Sequence, residues 1–136
     1  MTGTLRIKSH RNKLLYCEIG EWKEYFKGTQ NIKAYMVFDS LGCLQVYKEY
    51  SETGFNDFDC VYLKKQIKNE TYLIETIKYY FDNGQLCETG QRFRKLGLKN
   101  GYTSYLTHYK KTGVWIRYNY DGTQDYKKMH EELENE

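Results

Sequence analysis

Three histidines, His10, His108 and His130, are the side chains from which acid–base catalysis or metal ligation would most readily start. They stand far apart in the sequence and none sits in a catalytic motif, so surface or packing roles are the plainer reading. Cys17, Cys43, Cys60 and Cys87 are spread singly. With no C-x-x-C pair and no nearby histidine they do not make a zinc site, and they read as buried, reduced thiols; two disulfides are the alternative for an even number. No G-x-S-x-G, Walker loop or H-E-x-x-H is present. The expectation is a protein that is not an enzyme and has no metal, cofactor or small-molecule substrate.

Recognition chemistry is better represented. Aromatic residues make up 17% of the chain and 15 of them are tyrosines, which combine an apolar ring with a polar tip and suit a sheet with one wet face. Trp22, Tyr25, Trp115 and Tyr118 recur in a shared pattern and could form either a binding strip or a packed core. Strand alternation over Gly113 to Tyr120 puts Val114, Ile116, Tyr118 and Tyr120 on one face, which reads as buried. Trp115 and Arg117 fall on the other, exposed face, a pairing favoured at protein interfaces. The end of the chain, "HEELENE", concentrates Glu131, Glu132, Glu134 and Glu136. It reads as a solubilising end or as carboxylates offered to a basic partner, where opposite charge speeds association.

The net charge of +3 is spread over interspersed signs. "KKQIKNETYLIETIKYY" and "QRFRKLGLKNGY" alternate basic and aromatic residues, as single-stranded nucleic acid would require. Glu70, Glu75 and Glu88 dilute both stretches, so a solvated strand face is favoured over nucleic-acid binding. The N-terminus lacks the apolar stretch of a secretory signal and nothing approaches a membrane span, so a cytoplasmic protein without membrane insertion is expected.

These residues would be positioned by strands. Alternation marks Ile32–Phe38, Cys43–Tyr50, Cys60–Gln66, Tyr72–Phe81, Gln85–Phe93, Tyr102–Tyr109 and Gly113–Tyr120. Between them lie "FDSLG", "SETGFND", "FDNG", "LKNG", "YKKTG" and "YDGT", glycine turns in a chain with no proline. "LRIKSHRNKLLYCEI" reads equally as a strand pair or as containing a short helix. After Gly122, Tyr126, Met129, His130 and Leu133 follow helical spacing with Thr123 or Asp125 as N-cap, predicting a short C-terminal helix over about 123–134. The whole, residues 1–136, reads as a single domain with repeat-like strands over about 20–122.

"GEWKEYFKGTQ" from Gly20 matches "GVWIRYNYDGTQ" from Gly113, and "YMVFDSLGCL" from Tyr35 matches "KYYFDNGQL" from Lys78, each with one residue of slippage. Together with "YYFDNGQLCETGQRF" and "LKNGYTSYLTHYKKTGVWIRYNYDGT", these segments resemble the MORN-repeat variant of a family of bacterial antitoxin and immunity proteins. The resemblance implies a mainly β fold, a meandering antiparallel sheet of degenerate hairpin repeats. It also implies a cytosolic protein that binds and neutralises a cognate toxin by occlusion. The alternative is a structural or adaptor module that binds a cellular protein or an acidic membrane surface. Open sheet edges make a homodimer credible in either case.

Overall fold

The computed structural model describes residues 2–10, 13–40, 42–99 and 102–133, with side chains placed at 2–4, 19–40, 42–97 and 104–133. Its strands are β1 (Thr2–His10), β2 (Lys13–Tyr25), β3 (Ile32–Phe38), β4 (Leu44–Tyr50), β5 (Asn56–Ile67), β6 (Glu70–Tyr80), β7 (Leu86–Lys99), β8 (Tyr102–Tyr105), β9 (Lys110–Tyr118) and β10 (Gln124–His130). All ten belong to one antiparallel sheet that follows chain order. The departure from a simple meander is at β7, whose one edge pairs with β9 through Glu88–Phe93 and with β8 through Leu96–Lys99. The ambiguous N-terminal stretch is therefore a strand pair, with Leu5 opposite Glu18 and His10 opposite Lys13.

One turn geometry is used four times. The amides of Asp39, Ser51, Phe81 and Asn119 each donate to the carbonyl four residues on, and Gly42, Gly54, Gly84 and Gly122 each donate back to the first residue's carbonyl. These glycines all have positive φ, from 80° to 91°. A type I turn closed by a left-handed glycine tightens the hairpin and adds the bulge seen in the adjoining register. Lys68 and Asn69, both with positive φ, make the two-residue turn between β5 and β6.

Three expectations are corrected here. No helix occurs among the described residues, and the segment expected to be helical is β10, paired with β9 from Gln124 opposite Tyr118 to His130 opposite Gly113. The Asn119–Thr123 turn returns the chain directly onto β9, whose free backbone groups then compete with a helix too short to be stable alone. "YKKTG" is likewise not a turn: Lys110–Gly113 opens β9, and Gly113, at φ 65°, makes a bulge within the strand. "LKNG" lies partly outside the described residues, and the strand expected over Tyr102–Tyr109 ends at Tyr105.

Register assigns the faces. Trp22, Met36, Tyr47, Cys60, Ile77 and Gly90 follow one another across β2 to β7 on one face. That face holds the core, in which Cys60, Ile77 and Trp115 are buried against Tyr47, Phe58 and Tyr62. It must be concave: Phe38 on β3 and Tyr105 on β8 line one hollow of about 310 Å³. On a flat sheet those strands would stand roughly 24 Å apart. The curl does not close into a second layer, since the accessible surface is 9387 Å². A compact protein of 16.4 kDa would expose about 7,500 Å².

Candidate functional site

The two Gly-x-Trp segments build the same clamp. Gly20 and Gly113 both take positive φ inside their strands, φ 69° and 65°. Each bulge turns the tryptophan two residues later flat onto a glycine of the neighbouring strand. A Cβ on Gly3 would fall 1.9 Å from the Trp22 ring, and one on Gly90 would fall 2.2 Å from the Trp115 ring. The indole nitrogen of Trp22 donates to the Thr4 carbonyl at 2.9 Å, and that of Trp115 to the Gln91 carbonyl at 2.8 Å. The register shifts agree as well: Thr2 and Thr4 oppose Lys23 and Ile19, as Thr89 and Gln91 oppose Ile116 and Thr112. These tryptophans position strands.

That overturns the face reading of β9. Trp115 is 3% exposed, while Val114 and Tyr120, expected inside, are exposed. The alternation itself holds; the curl encloses the face of Trp115, which seats on Gly90, and not the face of Val114. Arg117 does reach solvent, where it lies 3.8 Å from Glu88 and stacks 5.0 Å over Tyr126. Glu131 and Glu132 are exposed just past β10. Thr112 Oγ1 ties this segment down by donating to the Glu131 carbonyl and accepting from the Leu133 amide, each at 2.9 Å. Arg117 sits opposite Tyr126 near the other end of β10, so the structure does not gather these residues into one site. Glu134 and Glu136 lie outside the described residues.

The concave face carries a polar ladder that the sequence reading missed. Glu75 is fully buried between Leu73 and Ile77, where strand alternation calls for an apolar side chain. Its Oε2 accepts from Arg92 Nε at 2.5 Å and its Oε1 from the Tyr109 hydroxyl at 2.5 Å. Arg94 donates to the same hydroxyl, and the Arg92 and Arg94 guanidinium carbons each lie 3.9 Å from the Tyr109 ring centre. Burial alone would pull Arg92 down, but the hydrogen bond and charge of Glu75 outweigh it and leave it raised. Burial, then the Glu75 hydrogen bond, pushes Tyr109 up. The signal in sequence was a carboxylate at an inward period-two position, with arginines at 92 and 94 two residues apart.

Two hollows flank this ladder. One, of about 380 Å³, lies toward the turns at Phe26 and Ser51 and is lined by Glu24, Glu49, Glu52 and Asp57 together with Tyr47, Tyr50 and Lys33, whose ammonium lies 3.9 Å from Glu24. Tyr47 donates to Glu49 at 2.8 Å, and burial followed by that bond pushes its hydroxyl up to about 12. The other is the hollow between Phe38 and Tyr105.

The histidines are not brought together: His10 and His130 end the strands at opposite ends of the strand order, and His108 lies between β8 and β9. Among the described residues no group of three His, Cys, Asp or Glu could hold a metal ion, and no helix is long and apolar enough to cross a membrane. Cys43, Cys60 and Cys87 are free thiols, of which Cys60 is buried and the other two half-buried. Cys17's side chain is outside those described.

Burial pushes the Cys60 thiol up to about 11, against a hydrogen bond from Tyr62 that lowers it. Unfolded, the thiol ionises near its ordinary value of 9.0, so the unfolded chain binds fewer protons between 9 and 11. Stability is then expected to fall over that range by at most about 1.4 kcal/mol per pH unit from this group. Tyr47 extends the loss toward about 12. Guanidinium midpoints measured along the range check this, with Cys60→Ala flattening the first part; level midpoints up to pH 11 would contradict it.

Comparison of the chain with protein-family models, with curated proteins and with solved structures finds no match.

Proposed function

We propose that this is an immunity or antitoxin-like protein, related to MORN-repeat variants, that binds and neutralises a cognate bacterial toxin by occluding it. The observation that supports this reading most is the open, curled sheet. About a quarter more surface is exposed than a compact chain of this mass would show, and on the convex side it includes Val61, Leu63 and Met129. Such surface on a soluble chain is usually reserved for a protein partner. The concave hollow bordered by Glu24, Glu49, Glu52 and Asp57, with Lys33 its lining cation, keeps an excess of carboxylates beside tyrosine rings, the chemistry that receives lysine or arginine from a basic cleft. The tail glutamates, Glu131 and Glu132, would add to the same attraction.

A tagged pull-down from the source organism at low and moderate salt tests the proposal. The expected result is one stoichiometric protein that is toxic when expressed alone and harmless when co-expressed. Replacing Glu24 and Glu49 by lysine should weaken that complex about tenfold or more, mostly through slower association. Recovery of no toxic partner would discard the reading. The adaptor reading has its own support on the opposite face, where Lys48, Lys65, Lys78, Lys110 and Lys127 share one side of the register. Salt-sensitive binding to anionic vesicles in place of a toxin would favour it.

A further inference from the structure

The hollow between β3 and β8 is built from the chain's larger apolar side chains. Leu73 and Leu96, both nearly buried, belong to its wall with Phe38, Leu44 and Tyr62, and the exposed Tyr105 stands at its rim. Its polar side chains are unusual in what they lack. Lys64 lines the hollow and donates from Nζ to the Cys43 thiol at 2.7 Å, a weak acceptor for an ammonium, and no described carboxylate lies within ion-pair distance of it. Asp39, the acid nearest in sequence to Cys43, uses Oδ1 on the Cys43 amide at 2.9 Å and Oδ2 toward Gln45. Behind the rim, the Arg94 guanidinium carbon lies 3.2 Å from the centre of the Tyr105 ring. Its Nε is buried without a hydrogen-bond partner, and no described carboxylate pairs with it directly. Glu75 reaches it only through the Tyr109 hydroxyl and is already paired with Arg92.

Apolar walls with two cations beside them, the solvent-exposed Lys64 at the mouth and Arg94 behind the rim, neither ion-paired to a described carboxylate, are complementary to a ligand with an apolar body and one negative end. We propose that this hollow binds a small amphipathic monoanion, a medium-chain alkyl or aryl carboxylate. The carboxylate takes the Lys64 ammonium away from the thiol and gains the field of Arg94 across the Tyr105 ring. The chain lies on Leu73, Leu96 and Phe38. A volume of about 310 Å³ is at the lower end for ligand pockets and suits a molecule of about ten heavy atoms. The site lies at the other end of the concave face from the acidic hollow, so it does not rest on the toxin-binding reading.

Calorimetric titration of the full chain with octanoate, 1-octanol and octylammonium at one ionic strength tests this, with amide NMR shifts locating the site. Octanoate is expected to saturate at one per chain and to move the amides of residues 42–44, 64 and 96. The alcohol and the ammonium should bind about tenfold more weakly or not at all, as the loss of a charge-assisted hydrogen bond requires. Lys64→Gln should lower octanoate affinity about tenfold without changing the unfolding midpoint, and Lys64→Arg should restore it. The absence of saturable binding, equal binding of all three probes, or shifts confined to another region would each overturn the proposal.

Discussion

Glu75→Ala is expected to cost about 3–5 kcal/mol of unfolding free energy. The carboxylate is 0% exposed and answers both Arg92 and Tyr109. Removing it leaves the half-buried Arg92 guanidinium and Tyr109 hydroxyl without their common acceptor. The cost comes mainly from that orphaning, because a buried ion pair gains little over an apolar pair of the same volume. The double variant Glu75→Leu with Arg92→Leu should therefore recover at least half of the loss. Urea unfolding of the single and double variants measures both quantities. A single-variant cost below about 1 kcal/mol would show that solvent reaches the ladder and that it does not organise the concave face.

Gly90→Ala is expected to cost about 3 kcal/mol, the upper end for one added methyl group. The new Cβ would stand 2.2 Å from Trp115 Cδ2, and β7 cannot give way because it is paired with β6 on one side and β9 on the other. Trp115→Ala should cost a similar amount or more by emptying the core around Cys60 and Ile77. The two changes should be strongly non-additive: in the Trp115→Ala background the alanine at 90 meets no ring and should be nearly neutral. Gly3→Ala provides the contrast. Its Cβ would meet Trp22 at 1.9 Å, but β1 is an edge strand and can shift outward. Equal costs at Gly3 and Gly90 in denaturant titrations would show that strand pairing on both sides is not what makes the second clamp rigid.

Local chemistry made much of the fold legible from residues alone. Strand β3 follows from the alternation of Ile32 to Phe38, and β4, β6 and β9 follow within a few residues, because period-two patterning and glycine turns act over short distances. The Gly-x-Trp pairing at Trp22 and Trp115 was likewise visible as a repeated spacing. What it was for was not visible, since Gly3 and Gly90 lie on other strands and nothing in the spacing says that each tryptophan rests on one.

The misreadings share a cause. Tyr126, Met129 and His130 satisfy a helical stripe and a strand equally well over so few residues, and β9 decided the outcome by offering a pairing edge. Trp115 was assigned to the outside because Val114, Ile116 and Tyr118 make the other face the more apolar, and nothing local says around which face the sheet curls. The amino-acid sequence by itself determined an antiparallel, tyrosine-rich sheet with turns at Gly42, Gly54, Gly84 and Gly122. Which face is concave, the burial of Glu75 against Arg92 and Tyr109, and the meeting of Phe38 with Tyr105 were decided only in the tertiary structure. Those features arise from twist and curl accumulated over many strands, a long-range property that no local window contains.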